Sequence, residues 1–268
     1  MTGRRQRGLA LVSVLWGIAI LSLIAAAMLT ASVTSAQLDR NAWNATRAGS
    51  IADAVVGRAI LSLMDGRSGR QPRVDGTAAA AGFDGVTARL WIQDESGRIN
   101  LNFADKVLLG SVFASAGLTD DQAAALADRV IARRAPQVPG GPAPPLAFRA
   151  IDALLELPGM TRALYAKIAP LLTVYGTTGA VDQTVAPPAV LKVLPGLDAH
   201  AIADLLRARE DALARMAAPG AAPAPRAASG ATFTITAEVR VGTARVVRVA
   251  TVQFTGDATK PYLTMAWR

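Results

Sequence analysis

The chain has 268 residues, 51% of them hydrophobic and only 18% charged, against about 25% charged in an average soluble domain. Its mean hydropathy is +0.31, which excludes disorder throughout, since disorder needs low hydrophobicity and high charge. There is no cysteine and one histidine, His200, so disulfide frameworks, thiolate zinc sites, Cys nucleophiles and multi-His metal centres are all excluded. A Ser-His-Asp set would have to use His200, and no nucleophile–base pairing surrounds it in the sequence, so no enzyme is expected. The net charge of +8 is compatible with nucleic acid, an anionic membrane surface, or neither.

Arg4, Arg5 and Arg7 precede Gly8, and the next charged residue is Asp39. The run from Leu9 to Leu29 reaches the ~20 residues that cross a ~30 Å hydrocarbon core. Its polar side chains are Ser13 and Ser22, and a helical serine can return its hydroxyl to a backbone carbonyl. Basic residues before the run, and none just after it, place the start in the cytoplasm and the remainder across the membrane. The alternative is a removed secretory leader cut near Ala25-Ala26-Ala27. Against it, helical spacing continues through Leu38, Ala42, Ala45, Ala48 or Gly49, Ala52, Val55 or Val56, and Ala59, with no proline between Leu9 and Met64. The pattern predicts one long helix, half in lipid and half amphipathic.

Arg5-Gln-Arg-Gly8 followed by Leu9-Ala-Leu-Val-Ser-Val-Leu-Trp16 resembles a type IV prepilin-class leader. In that class a cytoplasmic-side peptidase cuts after the glycine and methylates the new terminus, which would place processing at Gly8 and Leu9. Most members carry glutamate at the fifth mature position, here Ser13. Over nearly its whole length the sequence resembles the K-type minor pseudopilin of type II secretion, which has a large helical insertion. The membrane helix would then run from Leu9 through Ser13 and Trp16 to Met28.

Beyond Met64, Arg67 to Gly82 is rich in Gly, Arg and Ala and is expected to be a loop. Val86 to Gln93 alternates, with Val86, Ala88, Leu90 and Ile92 on one face of a half-buried strand. Asp94-Glu-Ser-Gly97 supplies turn chemistry, and Arg98-Ile-Asn-Leu-Asn102 resumes extended structure. The stretch resembles the family's Asp-x-Ser-Gly-(Lys/Arg)-Ile-Asn-Leu-Asn segment, whose asparagines pin the turn to the following helices. The alternative is a ligand site formed by Asp94, Asn100 and Asn102. From Lys106 to Arg134 the spacing is helical, with Val107, Leu108, Val112 and Phe113 on one face. Thr119 is the expected N-cap of the helix that begins at Asp120. Pro136 to Pro145 is a Pro/Gly loop. A helix over Phe148 to Leu157 ends at Pro158-Gly159, and Thr161 starts the next.

A second Leu-Pro-Gly stands at Leu194-Pro195-Gly196, and the two copies form the one internal repeat found. Turns of this type occur in helix-hairpin-helix DNA binders, where turn amides and a following basic side chain face phosphates. Arg162 could serve the first turn, but Asp198 and His200 follow the second, and the basic residues are scattered rather than clustered. Structural hairpins are expected, and nucleic acid is not an expected partner. Thr173-Val-Tyr175 resembles the family's strand after the first hairpin. Ala180 to Pro187 resembles its Asn-x-Asn-Thr-Ala-Pro segment, with Asp182, Gln183 and Val185 as departures. His200 is expected to face solvent. After the Pro/Ala stretch from Ala217 to Gly230, Thr232 to Val241 and Ala244 to Thr255 alternate as strands around a Gly242-Thr243 turn. Pro261 to Arg268 supplies a final strand, and the Trp267-Arg268 ending also resembles the K-type.

The fold expected is α+β and pilin-like: a long N-terminal helix, a C-terminal antiparallel sheet and a large all-α insertion. The divisions are 1–8 leader, 9–64 helix with 9–29 in the membrane, 65–103 and 231–268 the pilin-like domain, 104–216 the insertion and 217–230 a linker. No cofactor is expected. Relatives carry an Asp-rich segment where this chain has Arg133 and Arg134, so no calcium of that type is expected. The resemblance implies an inner-membrane subunit that initiates and caps a periplasmic pseudopilus. Its implied partners are I- and J-type minor pseudopilins, the inner-membrane secretion platform, prepilin peptidase and membrane lipid. The competing class is a membrane-tethered helix-hairpin-helix DNA-binding protein.

Overall fold

A computed structural model describes residues 5–65, 72–134, 147–218 and 227–268, with backbone alone at 5–10, 29–36 and 217. The leader residues before Arg5 and the Pro/Gly loop at 136–145 lie outside the described residues. Helix α1, Arg5–Met64, is continuous over 60 residues. It ends just past Leu63, as no proline or buried glycine turn interrupts it earlier. Its upper half buries Ala48, Ile51, Ala52, Val55, Val56, Ala59, Ile60 and Leu63. These positions recur every three or four residues, which is the signature of a helix with one covered side.

What covers them is an antiparallel sheet. Strand β1 (Ala79–Phe83) turns through Asp84 and Gly85 into β2 (Val86–Asp94), with Phe83 paired to Val86. After the helical block come β5 (Thr232–Val241), β6 (Ala244–Phe254) and β7 (Tyr262–Trp267), and the order across the sheet is β1-β2-β5-β6-β7. Ala88 and Ile92 of β2, Phe233, Ile235, Ala237 and Val239 of β5, and Ala250, Val252 and Phe254 of β6 form one core with α1. Their period of two puts every one on the same face. The β5–β6 hairpin closes at Gly242-Thr243 as expected, with Val241 opposite Ala244 and Gly242 at φ +55°, a backbone region that favours glycine.

The helical block has its own core, and that core begins at Ile99. A short β3 (Ile99–Asn100) pairs in parallel with β4 (Leu172–Thr173). Between them stand α2 (Lys106–Ser115), α3 (Asp120–Arg133) and α4 (Arg162–Ile168), and beyond them α5 (Pro188–Leu191) and α6 (Ala199–Ala217). Thr119 caps α3 in a full capping box with Gln122, as its sequence predicts. The architecture is α+β.

Four expectations need correction. Residues 79–83 are a strand, not loop, because the Asp84-Gly85 turn folds them back on β2. The expected helix from Phe148 to Leu157 is one 3-10 segment, Ile151–Glu156, and Ala150 supplies no side-chain cap. Val107 is 67% exposed, so the covered face of α2 runs through Leu108, Leu109, Val112 and Phe113 instead. Strand β4 is Leu172–Thr173, and Val174 and Tyr175 lie beyond its end.

Candidate assembly surface

The lower part of α1 is apolar on every side and bare. Leu11–Met28 has a mean hydropathy of 2.4, with none of it buried in the protein. At 1.5 Å per residue this is about 27 Å of helix, close to the thickness of a hydrocarbon core. Apolar surface of this extent marks a membrane or protein contact. Gly8 and Leu9 lie in the first turns of α1, Ser13 and Trp16 follow within the apolar stretch, and Met28 closes it. Trp16 is 69% exposed. Leu38 and Trp43 are exposed on the neck above, where the hairpin tip touches through Thr243 Oγ1 donating to Asn41 Oδ1 at 3.0 Å.

At the upper end, the two asparagines of the Arg98–Asn102 segment bind backbone. Asn100 Nδ2 donates to the carbonyls of Tyr175 (2.7 Å) and Gly176 (3.3 Å), and its Oδ1 accepts from Asn102 N–H (2.9 Å). Asn102 and Phe148 exchange two bonds of 2.9 Å each, a carboxamide acting as one rung of backbone ladder. Asp94 caps the turn, its Oδ1 accepting from Ser96 N–H (2.9 Å) and Oγ (2.7 Å). Burial pushes the Asp94 carboxyl up, against the pull of the Ser96 bonds. Asp94 and Asn100 line one polar cleft, and Asn102 is turned away toward Phe148. Asp94 Oδ1 and the two carboxamide oxygens are thus engaged by backbone N–H groups, as in turn residues, and the three do not converge on a ligand.

Backbone approaches backbone closely at this joint. A Cβ on Gly97 would stand 2.6 Å from the Val185 carbonyl oxygen, and one on Gly179 would stand 2.3 Å from that of Phe103. No sequence signal marks either glycine, and none marks the bonds that Arg134 makes. The Arg134 guanidinium donates to the Leu101 carbonyl (3.0 and 2.8 Å) and to Ala104 (2.7 Å), so it closes the start of the helical block. Arg133 pairs with Glu156 at 2.6 Å and lies over the Phe148 ring. A further charged knot ties α6 to the segment before β1. Arg73 bridges Asp75 (2.9 Å) and Glu210 (2.7 Å), while Arg209 reaches Asp75 (3.4 Å) and the Gln183 carbonyl (2.7 Å). No sequence signal links residues so far apart in the chain.

The two Leu-Pro-Gly turns are alike in backbone, with Gly159 at φ +87° and Gly196 at +82° following Pro158 and Pro195. Their surroundings differ. Arg129 donates to the Pro158 carbonyl at 2.9 Å, and Thr161 Oγ1 accepts from Leu164 N–H. After the second turn, Asp198 Oδ1 accepts from Ala201 N–H at 2.8 Å. An amide that a phosphate would need is therefore already taken by a carboxylate. His200 is exposed beside Asp204. Among the described residues, no group of three or more His, Asp or Glu could hold a metal ion.

No family model matches the chain, and no curated protein does. Among solved structures, it is similar over 88% of its length to 98% of a chain in the GspK-GspI-GspJ complex of the enterotoxigenic Escherichia coli type 2 secretion system. The identity is 14% and the TM-score 0.45.

Proposed function

We propose that the chain is a minor pseudopilin-class subunit, membrane-anchored by α1, that joins other subunits at the tip of a short periplasmic fibre for protein export. The observation that supports this best is the division of α1: one unbroken helix that is uncovered and apolar below and packed against a sheet above. The basic residues ending in Gly8 directly before the apolar run have the order of a prepilin leader, so cleavage between Gly8 and Leu9 keeps the apolar helix attached. In this reading the N-terminus starts in the cytoplasm and the head lies across the inner membrane. I- and J-type minor pseudopilins and the secretion platform are the partners, and no catalytic step is involved.

Ser13 fits the start of a fibre. The class's usual glutamate neutralises a neighbouring terminus within the bilayer, where a charge costs about 2.5–3.5 kcal/mol. A subunit with no earlier neighbour does not need it. A bulky helical block also suits a tip, since lateral packing would tolerate it poorly.

Mass spectrometry of the mature N-terminus is the deciding experiment. The expected species begins at methylated Leu9, and Gly8→Glu leaves the leader in place. A mature chain beginning at Met28 or later overturns the reading. One copy per isolated minor-subunit complex, with Ser13→Glu tolerated or harmful, is expected of a tip subunit; many copies along the fibre refute the position.

A further inference from the structure

Strand β7 ends the sheet, and among the described residues no strand pairs with its outer edge. Phe254 donates its N–H away from β7, to the Ala231 carbonyl at 2.9 Å. Its register partner Tyr262 therefore stands at a non-hydrogen-bonded position of the β6–β7 ladder. Tyr262 and, two residues on, Thr264 aim their own N–H and C=O groups at the free edge. Natural sheets blunt such an edge with short strands, charges, proline or bulges. Strand β7 is six residues long and has a bulge where its register with β6 shifts between Thr251 and Val252, but Tyr262–Trp267 contains no charge and no proline. Instead Tyr262, Leu263, Met265 and Trp267 are each 37–50% exposed. Tyr262 and Trp267 share the face of Phe254 and Ala250, whereas Leu263 is opposite Gln253. Apolar surface is thus bare on both sides of one strand.

An unpaired row of backbone donors and acceptors fits an extended segment and not a helix. Charge then selects among extended segments. Lys260 and Arg268 flank β7, and no acidic residue occurs after Asp257. A second copy added antiparallel would set Lys260 of one chain beside Arg268 of the other, and like charges so placed are destabilising. We infer that the β7 edge receives an extended segment of a different protein chain, apolar in its middle and acidic at both ends, as a sixth strand. Nothing in this edge depends on the membrane helix, so it stands or falls separately from the pseudopilin reading.

The test uses the full chain in detergent micelles and a fluorescein-labelled synthetic peptide, Asp-Val-Thr-Val-Thr-Val-Glu, followed by anisotropy. A second peptide with lysine at both ends is the comparison. Thr264→Pro removes an outward N–H and no ladder bond, so the edge tolerates it; Leu263→Glu leaves the backbone intact and adds a negative charge that opposes the acidic ends. The acidic-ended peptide is expected to bind at least about tenfold more tightly than the lysine-ended one, and each substitution to weaken it by about tenfold. Equal binding of the two peptides, binding of neither, or affinity unchanged by both substitutions overturns the inference. So does a dimer in sedimentation that either substitution dissolves, because the occupant would then be a second copy.

Discussion

The lower and upper halves of α1 belong to one helix, yet one is left bare and the other is covered by a sheet. Leu11–Met28 is apolar all the way round, so no single protein face could cover it. The upper half buries a stripe from Ala48 to Leu63 and turns Ser50, Arg58 and Leu61 outward or to the flank. What separates the two is the arrangement of apolar residues around the axis more than their number. A ring of them asks for lipid or a bundle, and a stripe asks for a sheet.

A charge placed in each half should give the largest contrast. Val56 is fully buried, and Val56→Asp is expected to remove more than about 4 kcal/mol, enough to unfold the head. Leu21→Asp should leave the head's melting unchanged and oppose insertion by about 2.5–3.5 kcal/mol. Circular dichroism melts and alkaline extraction of membranes read the two effects separately. If Leu21→Asp also melted the head, the halves would not be independent.

The contrast sharpens between adjacent residues of the upper half. Ile60 is 3% exposed and Leu61 62%. Ile60→Ala should cost about 2–5 kcal/mol in denaturant unfolding, and Leu61→Ala less than about 0.5. Equal losses would mean that something else covers Leu61.

Acid should act on the head alone. Burial works against the Asp75 charge, but hydrogen bonds from Arg73 and Thr77 outweigh it and hold the carboxyl at about 2, below its ordinary 3.8. A depressed folded value gives stabilisation that is complete above the ordinary value and is lost as pH falls through the folded one. Asp94 has the opposite sign: raised by burial, it favours the fold below its ordinary value and loses that contribution as pH rises. Melts of Asp75→Asn against the parent should therefore differ at pH 6 and converge toward pH 2. A constant difference would show that the knot on α6 does not depend on the carboxylate.

The smallest effect is a gain. A Cβ on Gly57 meets nothing within 4 Å, so Gly57→Ala should stabilise the upper half by up to about 1 kcal/mol. Gly17 is equally open, but Gly17→Ala should leave the head's unfolding where it was.

The sequence revealed elements wherever a period is long and unbroken. Helix α1 has its apolar ring and stripe, and β5 and β6 alternate for ten residues or more around Gly242-Thr243. Strand β1 was hidden because Ala79-Ala-Ala-Gly-Phe83 has no contrast between its faces, although Asp84-Gly85 is a strong hairpin dipeptide. Val107 fits a helical face by spacing but lies in the first turn of α2 and is exposed. At the joint, Asn100 and Asn102 were legible through a local motif. Arg134 and the Arg73–Asp75–Arg209–Glu210 knot were not, because packing sets Arg134 on a carbonyl 30 residues away and joins Arg73 to Glu210 across 137 residues.

The neck of α1 sets a clearance. From Met28, where the bare stretch ends, to Asn41, where the hairpin tip first touches the helix, the chain climbs thirteen residues. At 1.5 Å each that is about 20 Å, short of the diameter of a small domain. The head is therefore held above the bare stretch like a lantern on a post, and Leu38 and Trp43 stand exposed on the helix there.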